Sequence, residues 1–185
     1  MKPRMMALLT LALLLTSCGT PFLTPRDALH DDYGAGILYN PIVYVAGSEE
    51  VLQEQAVAGG QVLLYRWTAP QSKAGEYCVG VTFVTPVQTL RGQSWRAQAS
   101  NWLNKLGECY TTFNEFIAEY TPYIGQTTAF GVSGAGKHVR ISWSDGQVNV
   151  VELQDGTFLL ARPEDLQVTQ FELLDANNNV LAVKK

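Results

Sequence analysis

Val139-Arg140-Ile141-Ser142-Trp143-Ser144-Asp145-Gly146-Gln147-Val148-Asn149-Val150-Val151-Glu152-Leu153-Gln154-Asp155-Gly156-Thr157-Phe158-Leu159-Leu160-Ala161 decides the fold class. Val139, Ile141 and Trp143 alternate with Arg140, Ser142 and Ser144, the two-residue period of a half-buried strand. Asp145-Gly146 supplies a two-residue hairpin turn, because Asp and Gly tolerate positive φ. Val148 to Leu153 runs back, Asp155-Gly156 turns again, and Thr157 to Ala161 forms the next strand. Further on, Val168–Leu174 and Val180–Val183 flank a turn at Asp175-Ala176-Asn177-Asn178-Asn179. Short strands at this spacing predict an antiparallel meander forming one layer of a β-sandwich.

Working outward, residues 42–45, 62–67 and 77–84 are rich in β-branched and aromatic residues and read as strands. Gly59-Gly60 introduces the second and Pro86 ends the third, while Glu49 to Val57 reads as a short helix or a loop. In the middle, Trp95, Ala99, Trp102, Leu103 and Leu106 share one face of a 3.6-residue period, with Ser94 as N-cap and Gly107 as stop. Phe113, Phe116, Ile117 and Tyr120 repeat the spacing until Thr121-Pro122 breaks it. The expected fold is mainly β, an antiparallel sandwich-like domain over residues 37–185 with one or two short helices mid-chain.

Composition agrees with one globular domain. The 185 residues are 46% hydrophobic and 16% charged, with 13 basic and 17 acidic residues and a net charge of −4. Disorder needs lower hydrophobicity and higher net charge, and a coiled coil would not carry 16 Gly and 8 Pro. The acidic balance argues against a nucleic-acid partner.

The N-terminus carries an address. Lys2 and Arg4 precede an apolar run from Met5 to Leu15, which ends in Leu15-Thr16-Ser17-Cys18. The run has the length of a secretory signal and is too short to span about 30 Å of hydrocarbon. The tetrapeptide resembles the lipobox of bacterial lipoproteins. That resemblance implies removal of residues 1–17 as a signal peptide and attachment of diacylglycerol to the Cys18 thiol. Two or three acyl chains would hold the protein stably on a membrane, where a single chain binds reversibly. Gly19, in place of Asp, resembles the outer-membrane-directed class where the envelope has two membranes. Residues 18–36, with Pro21, Pro25, Gly34 and Gly36, read as a lipid-anchored tether.

Cys78 and Cys109 remain, and an even pair in an exported chain reads as a disulfide. Closing a loop of about 32 residues would stabilise the fold by roughly 3–4 kcal/mol. Two buried thiols or half a metal site are the competing readings, but no CxxC or HxxxH pattern supplies further zinc ligands.

Other motifs have plainer readings. Gly131 to Lys137 has the G-x4-G-K spacing of a phosphate loop, yet His138 replaces the Ser or Thr and a strand pattern follows where a helix is needed. Ser133 lacks the second Gly of a nucleophile elbow. Asp175-x-Asn177-x-Asn179 resembles half an EF-hand loop, but Val180 stands at the Gly position and the chain ends before the terminal Glu. Glu115 and Glu119 would share a helix face, and Trp67, Trp95, Trp102 and Trp143 would line a groove or fill a core. No catalytic, metal, nucleotide or cofactor site is assigned. The expectation is a non-enzymatic binding or structural module of the cell envelope, anchored through Cys18, with envelope proteins or glycans as partners. The rivals are an envelope hydrolase using acidic residues in an aromatic groove and a small-ligand carrier.

Overall fold

A computed structural model of the chain describes residues 22–31, 44–90, 92–103, 110–111, 115–123 and 125–185. Among these, twelve strands account for the regular structure, with one 3₁₀ turn at Asp27–His30. They are β1 (Glu50–Val57), β2 (Gly60–Trp67), β3 (Glu76–Thr89), β4 (Gly92–Trp102), β5 (Tyr110–Thr111), β6 (Ile117–Tyr123), β7 (Gln126–Val132), β8 (His138–Trp143), β9 (Val148–Glu152), β10 (Thr157–Arg162), β11 (Val168–Leu174) and β12 (Val180–Lys184). Every pairing is antiparallel.

Three sheets form: β1-β2-β3-β4 with β5 on β3, then β10-β7-β6, and then β12-β11-β8-β9. The second sheet is the middle layer. On one face Phe130, Val132, Leu159 and Ala161 pack against Val62, Leu64, Val79 and Val81 of the first sheet. On the other, Ala118, Ala129 and Phe158 meet Val139, Ile141, Trp143, Phe171 and Leu173 of the third. All seven residues of β7 are buried, as a strand covered on both faces requires.

The meander expectation needs correction at β9 and β10. Asp155 and Gly156 both have positive φ, 48° and 74°, and Gln154 and Thr157 exchange 2.9 Å backbone hydrogen bonds. The two-residue turn therefore forms as read, yet the strands it joins part into different sheets. β9 has alternating exposure and suits an outer layer, whereas Phe158-Leu159-Leu160-Ala161 is apolar on both faces and is drawn between layers. The Asp145-Gly146 turn is one residue longer than expected. Gly146 N–H donates to Trp143 O at 3.0 Å and Trp143 N–H to Gln147 O at 2.9 Å, leaving Ser144-Asp145-Gly146 as a three-residue loop with Gly146 at φ 81°.

The helix expected over residues 94–106 is strand β4 through Trp102, and residues 104–106 lie outside the described residues. Val84 pairs with Ala97 but Phe83 with Ala99, so Gln98 is an extra, bulged residue. That bulge breaks the alternation that would have marked a strand and leaves a spacing resembling a helix. In the second expected helix, residues 113 and 114 lie outside the described residues and β6 begins at Ile117. Pro122 sits inside β6 because β6 is an edge strand, where a missing donor is tolerated. Pro86 likewise lies within β3, beyond Val84, the last residue that pairs with β2. Residues 50–57 are strand β1, neither helix nor loop, and Tyr44-Val45 lie outside any strand; Ile42 and Val43 are outside the described residues.

Candidate functional site

The stretch expected to be a tether supplies the most informative site. Ala28 and Leu29 are 0% and 1% exposed, and they join Leu63, Tyr65, Trp67, Val84 and Ala97 on the face of the first sheet that points away from the middle layer. Residues 22–31 therefore belong to the folded domain, which corrects the reading of residues 18–36 as a linker throughout. Apolar burial explains this: a Leu side chain moved from water to a core contributes about 2 kcal/mol, which offsets the ordering of a short segment.

Polar contacts hold the same segment. Phe22 O accepts from Trp95 N–H at 2.9 Å and from Ser94 Oγ at 3.1 Å. Thr24 and Asp27 exchange hydrogen bonds, Thr24 N–H to Asp27 Oδ2 at 2.8 Å and Asp27 N–H to Thr24 Oγ1 at 3.3 Å. Arg26 pairs with Glu54 at 2.7 Å. At the far end His30 Nε2 lies 3.4 Å from Glu49 Oε1, the His30 and Tyr44 rings meet edge-on at 5.5 Å, and Tyr44 Oη donates to Glu49 Oε2. Gly47 N–H donates to Tyr44 Oη at 2.8 Å. Burial opposes ionisation of Glu49, but the Tyr44 hydroxyl, its own backbone amide and His30 outweigh it and hold the carboxyl below its ordinary value. Burial, and then the bond to Glu49, push Tyr44 up. Among the described residues no group of three His, Cys, Asp or Glu side chains is placed to hold a metal.

The three tryptophans of the first sheet, Trp67, Trp95 and Trp102, all pack on this face, with Tyr65 stacked on Trp67 at 5.4 Å between centroids. Trp143 is separate, in the core between the middle and outer sheets, where its Nε1 donates to Asn149 Oδ1 at 2.8 Å. The four do not share one groove. Glu115 and Glu119 share no helix: Glu115 precedes β6, while Glu119 lies in β6 and accepts from Lys184 Nζ at 2.9 Å. Ser133 Oγ donates to Ala135 O at 2.8 Å within its own loop, and β8 follows directly, so no helix N-terminus faces the glycine-rich segment. The Asp175 carboxylate is turned inward on its own hairpin, accepting from Asn177 N–H, Asn179 N–H and Asn179 Nδ2 at 2.8, 2.8 and 2.9 Å. The Asn179 side chain and those amides keep it below its usual range.

Cys78 lies in β3 and packs at the rim of the aromatic face; Cys18 and Cys109 lie outside the described residues. Sequence reading passed over one signal here. From Tyr77 to Gly107 this acidic chain has no Asp or Glu, yet carries Arg91, Arg96 and Lys105. The stretch is centred on the β3–β4 hairpin, the element that docks Phe22.

No family model matches the chain, and neither a curated protein nor a solved structure matches it.

Proposed function

We propose that the protein is an exported, lipid-anchored envelope protein whose β-domain acts as a non-enzymatic binding or structural module. One observation carries this reading: Lys2 and Arg4, the apolar run from Met5 to Leu15, and Leu15-Thr16-Ser17-Cys18 fall in the register of a lipoprotein signal. The reading is compatible with the docked segment, since Phe22, which bonds to Ser94 and Trp95, follows position 18 in sequence. The test is incorporation of labelled palmitate. The wild-type chain takes up label and sediments with membranes, and Cys18→Ser does neither. A Cys18→Ser variant that still carries label and sediments at wild-type levels overturns the reading.

A disulfide between Cys78 and Cys109 belongs to the same proposal, as an exported chain allows. What supports it is that Tyr77 and Tyr110, the sequence neighbours of the two cysteines, are partners in the antiparallel β3–β5 pairing. Its role would be to clip β5 to the first sheet. Mass analysis of unreduced protein is expected to show a linked peptide pair, and alkylation of both thiols without reductant would refute the bridge.

A further inference from the structure

We infer that the β3–β4 hairpin is a second membrane contact, lying on the anionic leaflet beside the anchored Cys18; this rests on the lipoprotein reading. Phe22 is fixed to Ser94 and Trp95 on β4, and only three residues, Gly19 to Pro21, separate it from position 18. The four residue steps from 18 to 22 span at most about 14 Å of extended chain. An acylated sulfur at the leaflet therefore keeps the Phe22–Trp95 junction within roughly that distance of the lipid headgroups.

Chemistry at this junction suits such a neighbour. β2 stops pairing at Val84, so residues 85–89 and 92–96 continue past it as a two-stranded ribbon about 16 Å long. At its apex Leu90 is 103% exposed, and Leu23, next to the docked Phe22, is 70% exposed. Single exposed leucines are ordinary. These two, however, accompany a stretch, residues 85–96, whose sequence has no acidic residue, in which Arg96 is exposed and Arg91 follows Leu90 in sequence. Exposed leucines on a segment whose sequence is basic and free of acidic residues fit an anionic bilayer, where apolar side chains enter the interface and cations meet phosphate. The rest of the chain is acidic and would be repelled, which orients the contact.

The outer face of the third sheet is the rival. Val148, Val150 and Val183 are exposed there, but it lies two layers, about 20 Å, behind the first sheet. The test places a benzophenone amino acid at position 90 or position 150 of the full, lipidated chain. Each variant is reconstituted into vesicles of phosphatidylethanolamine and phosphatidylglycerol carrying a trace of biotinylated phospholipid, and biotin transfer after irradiation is measured. Labelling at position 90 is expected to exceed that at position 150 roughly fivefold, and to fall by a similar factor when phosphatidylcholine replaces phosphatidylglycerol. A ratio near one, a ratio favouring position 150, or indifference to lipid charge, in protein shown to carry palmitate, overturns the inference alone. If no palmitate enters the chain, the lipoprotein reading and this inference fall together.

Discussion

Glu49 closes the seam between the N-terminal segment and the first sheet, receiving Tyr44 on one oxygen and facing His30 with the other. In an unfolded chain such a carboxyl titrates near 4.5, and the fold holds it lower. Its contribution is therefore complete above that value and is lost as pH falls through the lower folded value. Hydrogen exchange reads this directly, since Leu29 and Asp31 N–H are bonded within the docked segment, at 3.1 and 3.2 Å. Their protection is expected to fall in acid in the wild-type chain. In Glu49→Gln it should be lower by about tenfold at neutral pH, the loss of a hydrogen bond to a charged group. Unchanged protection would show that Leu29 burial alone holds the segment. A second residue works between layers. Gln55 of β1 presents its amide to Ala161 of β10, accepting from the backbone N–H at 2.7 Å and donating to the carbonyl at 3.0 Å. The side chain completes an edge strand as a neighbouring backbone would. Gln55→Leu leaves both groups unpaired and should cost about 2 kcal/mol in denaturant unfolding; a neutral result would mean water replaces the amide.

Among the elements, β7 is the most constrained, and Gly131 shows why. A Cβ there would lie 2.2 Å from Ile117 O and 2.5 Å from a Phe158 ring carbon. Backbone on one side and an interlayer aromatic ring on the other leave no room for a methyl group. Gly131→Ala should destabilise by about 2–3 kcal/mol through overpacking, measured as a lowered midpoint of chemical denaturation with an unchanged slope. An unaltered midpoint would mean that β6 yields without loss. β10 carries a comparable lesson. Its continuous apolar run reads equally well as one strand of a flat meander or as a strand covered on both faces, and only the availability of a second sheet selects between them.

For the whole molecule, the three sheets share two cores through the middle layer, and the N-terminal segment adds a third core outside the first sheet. Disturbing any layer should then lower one common transition. Leu29→Ala, in the stretch that reads as linker, is expected to cost about 3 kcal/mol and to lower Tm by roughly 6–12 °C. Far-ultraviolet dichroism and tryptophan fluorescence should melt together, as cooperative unfolding requires. Separate melting of the two signals would show that the N-terminal segment and first sheet unfold independently. Local pattern was enough to read the strands of residues 62–67, 139–143 and 168–174, the Asp155-Gly156 turn and the self-satisfied Asp175 hairpin, because alternation and positive-φ chemistry act over a few neighbouring residues. Three things had to wait for the tertiary structure: the strand identity of residues 94–102, the parting of β9 from β10 and the docking of Leu29. Each depends on a partner distant in sequence, a bulge against β3, a second covering sheet and an aromatic face, and burial against distant partners leaves no periodic trace in a short window of chain.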